Sequence, residues 1–233
     1  MITVPPLFFG PTGSLLGKPE DVIDFLGKGK EHWKAGRSAY EAAYSWFMAK
    51  DLPPRIRAIL EGEPAFGGAV LDKAVFEKNT RLDHYGRDSQ TDVLAYLNTD
   101  EGLAVIGVEA KVDESFGPLV REWNDYGTGK LRRLVGLLNL LEFKSTPIDT
   151  LRYQLFHRTA ATVIEARSIG ARDAAMIVQS FDKKQTGFDD FIAFAEAFDT
   201  PVSMPGKLSA PKTLGEVTIR LGWTENPIYS TKS

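Results

Sequence analysis

The stretch that decides the reading is Thr91-Asp92-Val93-Leu94-Ala95-Tyr96-Leu97, then Asn98-Thr99-Asp100-Glu101-Gly102, then Leu103-Ala104-Val105-Ile106-Gly107-Val108-Glu109-Ala110-Lys111-Val112. Two apolar runs joined by a polar, glycine-ended turn predict a β-hairpin. In the second run, alternation puts Ile106, Val108, Ala110 and Val112 on one face and Val105, Gly107, Glu109 and Lys111 on the other. Glu109 and Lys111 therefore project side by side from a strand that begins as a buried one. An unpaired buried charge is costly, so something must compensate them. Asp92 reaches the same neighbourhood if the strands pair, and Gly107, lacking a side chain, leaves open space for a ligand beside the carboxylates.

Two carboxylates and an ammonium at one strand end are what metal-assisted hydrolysis of a phosphodiester requires. Hard divalent cations take oxygen ligands and keep several waters, so one or two carboxylates suffice to anchor one. The cation lowers the pKa of a bound water and offsets phosphate charge. A lysine can hold the attacking water or stabilise the developing charge.

Asp92, followed on the next strand by Glu109-Ala110-Lys111, resembles the PD-(D/E)XK, or restriction-endonuclease-like, nuclease superfamily. The segments 89–92 and 108–114 are similar to an uncharacterised bacterial group within it. The resemblance covers residues 38–181 and implies an α/β (α+β) fold, with a mixed central sheet flanked by helices. The implied αβββαβ core is a helix carrying Glu41, a strand region at 69–83, the hairpin, a long helix and a buried strand. It also implies that Asp92 and Glu109 bind Mg²⁺ or Mn²⁺, helped by the backbone carbonyl of Ala110 and by Glu41, while Lys111 positions the water. Gln154 and Arg158 of the long helix, and Arg133 of the basic cluster at 130–133, are the implied contacts to substrate phosphate. The expected partner is nucleic acid, DNA ahead of RNA, with a homodimer left open. Thr91 stands where the superfamily's name has proline, a position that carries no chemistry. Fold alone does not imply activity, so a catalytically inactive binding or interaction module and a hydrolase of a smaller phosphate ester remain alternatives.

A chain of 233 residues, 43% hydrophobic and 25% charged, has the composition of a folded globular protein rather than a disordered or fibrous one. No apolar run approaches the roughly 20 residues that span a bilayer, and the first ten residues lack the basic start of a signal peptide. A cytoplasmic location is expected. The absence of cysteine excludes disulfides, thiolate zinc sites and a cysteine nucleophile. A net charge of −3 gives no global footprint for nucleic acid, so binding must rely on a local patch.

Along the chain, residues 1–37 read as an N-terminal arm and short helix, 38–199 as the core with a helical insert at 118–143, and 200–233 as a linker and C-terminal strand. Tyr40, Ala43, Tyr44, Phe47 and Met48 mark the core face of the first long helix; Glu41 lies at its margin. Leu131, Leu134, Val135, Leu138 and Leu141 form the stripe of the insert. The long helix is expected to start at a Thr146 cap with Pro147 in its first turn and to stop before Gly170. The apolar run at 173–181 predicts a strand buried on both faces. His157 reads as a lone helical histidine, and His32 and His84 have no metal-ligand spacing.

Overall fold

The computed structural model describes residues 7–27, 29–144 and 147–229. The hairpin is present as β3 (Ser89–Thr99) and β4 (Gly102–Lys111), antiparallel and in register from Thr99↔Gly102 to Val93↔Val108. Strand β2 (Val70–Thr80) pairs antiparallel with β3, and β1 (Leu7–Phe9) lies parallel to β2 at the edge. On the other side β5 (Asp173–Ser180) runs parallel to β4, and β7 (Val217–Glu225) parallel to β5. The short β6 (Lys212–Leu214) closes that edge, giving a seven-stranded mixed sheet in the order β1-β2-β3-β4-β5-β7-β6 among the described residues.

Helices cover both faces of this sheet, making the protein α+β. Helices α1 (Ser38–Ala49) and α2 (Pro54–Glu61) contribute Trp46, Ile56 and Ile59 to one core, against Val93, Ala95, Ile106, Val108 and Ile177. A short turn of helix, α3 (Val120–Trp123), leads into α4 (Thr128–Leu140), then α5 (Tyr153–Ser168) and α6 (Phe188–Ala197). These build the other core, in which Phe156, Ala160, Phe191 and Phe194 meet Leu94, Val105, Met176 and Trp223. The expected alternation along β4 holds: Val105 belongs to one core, Ile106 and Val108 to the other. No helix among the described residues is long and apolar enough to cross a membrane.

Several expectations are corrected by packing. Gly107 does not open space for a ligand: a Cβ there would collide with Thr162 Oγ1 and stand 3.2 Å from its Cβ. The glycine instead lets α5 lie close on the sheet. The N-terminal arm is not wholly irregular, since Leu7–Phe9 joins the sheet; a three-residue edge strand is too short to show alternation. On α1 the buried face is Ala42, Ala43, Ser45 and Trp46, and Met48 is 67% exposed. Tyr40 and Tyr44 stack on each other, with Trp33 beside Tyr40, so aromatic residues ahead of the helix cover that stripe. On α4, Leu134 and Leu137 are buried while Leu131 and Val135 face outward.

The long helix begins at Tyr153, later than expected; the Thr146 cap lies outside the described residues. Residues before it are drawn into backbone pairing with 118–121, through Val120 N–H to the Leu151 carbonyl, Arg121 N–H to the Asp149 carbonyl and Tyr153 N–H to the Pro118 carbonyl. The C-terminal strand is not an appendage beyond a linker. β7 sits between β5 and β6, buried along most of its length, and Val202 and Ser209 of the preceding stretch are buried as well.

Gly107→Ala is expected to lower the stability of the chain by about 1–3 kcal/mol through overpacking against α5. Adding Thr162→Ala should recover part of the loss; urea denaturation midpoints of the two variants check it.

Candidate functional site

The site lies where the sheet forks. β3 and β4 stop pairing after Val93↔Val108. Beyond that rung β3 stays with β2, through Lys78↔Thr91, Asn79↔Gln90 and Thr80↔Ser89, while β4 stays with β5 as far as Lys111↔Ser180. Asp92 is the first residue past the fork. Its Oδ2 accepts the Ala110 N–H at 2.7 Å, so one carboxylate oxygen replaces a strand-to-strand backbone bond.

Three rungs join β4 to α5. Gly107 meets Thr162, Glu109 meets Arg158, and Lys111 meets Gln154. Four helical residues rise about 6 Å, and two strand residues about 6.6–6.8 Å. The i, i+4 ladder of the helix therefore keeps step with alternate residues of the strand, and side chains of Glu109 and Lys111 are delivered to the polar residues of α5.

Glu109 is 3% exposed and Lys111 6%. Glu109 Oε1 receives Lys111 Nζ at 2.9 Å and Gln154 Nε2 at 2.7 Å, and Oε2 pairs with Arg158 Nε. Lys111 also donates to Gln154 Oε1 at 3.1 Å and to the Ser115 carbonyl at 3.3 Å. Burial works against the charge of Glu109, but Arg158 and Lys111 outweigh it and hold its pKa well below the ordinary carboxylate range. Asp92 lacks such partners: burial first, then the charge of Glu109, pushes it up to about 7.

Behind Arg158 a further relay fixes the arrangement. Arg158 Nη1 donates to Ser89 Oγ at 3.0 Å, and Ser89 Oγ lies 2.9 Å from His157 Nδ1. Because the guanidinium can only donate, the serine hydroxyl is free to donate to Nδ1, which makes His157 a neutral acceptor. Burial, followed by the nearby Arg158 charge, lowers the imidazole pKa to about 3, in keeping with that state.

Of the residues singled out from sequence, the structure brings together Asp92, Glu109, Ala110, Lys111, Gln154 and Arg158. Glu41 is fully buried but committed elsewhere. Its oxygens accept the N–H groups of Gly36 at 2.9 Å and Tyr229 at 2.6 Å. Arg133 presents a fork to Asp83 (2.8 and 2.7 Å) and a third donor to the Arg87 carbonyl, so it pins the 81–88 loop. Sequence reasoning missed Glu77, Ser89 and His157. Glu77 carries a signal that could have found it: like Asp92, it is an acid at the end of an apolar strand run.

A cavity of about 560 Å³ opens beside the fork, lined by Glu31, Glu77, Asp92 and Glu114 together with His32, Lys34, Arg37 and Gln90. Among the described residues no three Asp, Glu or His side chains already stand together in a metal-binding cluster. The donor chemistry nevertheless suits a hard cation. Asp92, Glu109 and the Ala110 carbonyl are oxygen donors, and burial, ahead of the neighbouring acids, raises the pKa of Asp92 and of Glu77.

The fold and this cluster define a mixed α+β protein with a buried acid–lysine–arginine centre at a sheet fork. Residues 15–228 match the family described as a domain of unknown function (DUF6946), and the chain belongs to that family. Neither the curated proteins nor the solved structures compared with it give a match.

The Asp92 carboxyl gives the metal-free protein a pH dependence of known sign. Unfolded it releases its proton near the ordinary 3.8 and folded at about 7, so stability from this group is full below about pH 4 and is lost as pH rises through about 7. Asp92→Asn should flatten that decline, read as urea denaturation free energies at about pH 5 and about pH 8.

Proposed function

We propose that this protein is a divalent-metal-dependent nuclease that hydrolyses phosphodiester bonds of nucleic acid. The observation that carries the reading is the convergence of Asp92, Glu109 and Lys111 at the fork, next to an open cavity. The element order supports it. Helix α1, antiparallel β2, β3 and β4, helix α5 and parallel β5 follow the αβββαβ sequence of the restriction-endonuclease-like core.

In this reading Asp92, Glu109 and the Ala110 carbonyl hold Mg²⁺ or Mn²⁺. The bound cation supplies a water of lowered pKa and a counter-charge for the phosphate. Lys111 orients that water from its place against Glu109, and Gln154, bonded to both, fixes their spacing. Arg158 balances the Glu109 charge and is itself held by Ser89. Lys34 and Arg37 line the cavity with Asp92 and would meet substrate phosphate there, alongside the acids Glu31, Glu77 and Glu114.

One observation favours a second reading, a binding module on the same fold without catalysis. The Glu109 carboxylate is already occupied by Lys111, Gln154 and Arg158, and neither Glu109 nor Lys111 lines the cavity. Cleavage separates the two. With Mg²⁺ or Mn²⁺ the wild type is expected to cut linear or plasmid DNA, and Lys111→Ala to cut it about 100-fold more slowly or worse. Equal rates in both would refute the assignment of Lys111; a wild type that retains DNA on a gel but never cuts it would favour the module.

A further inference from the structure

Four acids line the cavity, Glu31, Glu77, Asp92 and Glu114; Glu114 accepts from Ser38 and from the Val112 amide and Glu31 is exposed, which leaves the buried Glu77 unexplained by the site described above. It is 7% exposed, yet among the described residues no hydrogen bond or ion pair reaches its carboxylate. The pairs Phe76↔Val93 and Lys78↔Thr91 bracket it, so it lies across from Asp92 on the neighbouring strand. Its φ of +53° is in the left-handed region, unusual for a residue with a side chain inside a strand.

The cations near it are turned to other partners. Lys78 Nζ pairs with Glu165 at 3.3 Å, and Arg158 spends its donors on Glu109 and Ser89. Lys34 and Arg37 line the same cavity without an ion pair to Glu77. Its carboxylate borders the cavity with no ion pair among the described residues. The helix acid expected to complete a metal site, Glu41, is committed to the amides of Gly36 and Tyr229.

We propose that Glu77 is a third carboxylate ligand of the divalent cation, entering from β2 and sharing the ion with Asp92 across the strand pair. The inference rests on the reading of the fork as a metal site. Glu77 and Asp92 lie between the same two rungs of the β2–β3 pair, so carboxylates from both strands are available to one cation. Both carboxylates border the cavity, so the ion and its waters have a route in.

The test is calorimetric titration of Mn²⁺ alone into the full chain, with melting of the metal-free protein measured alongside. Glu77→Gln is expected to weaken Mn²⁺ binding about tenfold or more, in the range seen when groups that support a metal are lost. The metal-free melting temperature should hold or rise, because the substitution removes an unpartnered buried acid. Glu77→Asp should regain part of the affinity. Wild-type affinity in Glu77→Gln, or equal loss in both variants together with a lower melting temperature, overturns the proposal. If that happens while the wild type still cleaves DNA with Mn²⁺ and Lys111→Ala does not, the nuclease reading stands and only the role of Glu77 falls. A wild type that neither binds Mn²⁺ nor cleaves removes both.

Discussion

The close seating of α5 on β4 is the constraint from which the rest of this structure follows. It is possible only because residue 107 has no side chain, and it is kept in step by the near match between one helical i, i+4 interval and two residues of strand. Thr162 takes the place of a Cβ, Arg158 reaches Glu109, and Gln154 reaches Lys111. A helix set farther out would leave the buried Glu109–Lys111 pair without Arg158 and Gln154. Removing one partner of such a buried pair leaves the full desolvation penalty of the other.

That seating also makes the charge distribution lopsided. On the α5 side, Glu109 has Lys111 and Arg158 and stays ionised. On the β2 side, Asp92 has an amide and Glu77 has no bonded partner among the described residues, and both carboxyls are pushed toward their neutral forms by burial and by neighbouring acids. Ordinary folded proteins pair buried acids or keep them at the surface. The half of the fork without paired cations is therefore the one that borders the cavity.

The hairpin, the two faces of its second strand and the order of the core elements were legible because period-2 alternation and turn residues are local signals. The grouping of Asp92, Glu109 and Lys111 was legible for the same reason: residues of neighbouring strands need only the correct register to meet. Gln154 and Arg158 were picked from the order of elements, and their inward direction became visible only with the helix in place. What stayed hidden depends on distant packing. Gly107 looked like room for a ligand because nothing local says that Thr162 will fill it. Glu41 sits at the right margin of its helix, but its carboxylate is taken by amides at 36 and 229, one of them far along the chain. The place of β7 inside the sheet could not be read from its own short alternation, since a strand's neighbours are chosen by the whole topology.

The fork itself divides the sheet into two leaves. Past Val93↔Val108, one leaf is β2 with the start of β3 and the other is β4 with β5, and the side chains that tie them include the Asp92 bond to the Ala110 amide and the Arg158 bond to Ser89. Past the last paired rung the two leaves are thus held by polar side chains instead of a backbone ladder, at the end of the sheet where the acids lie.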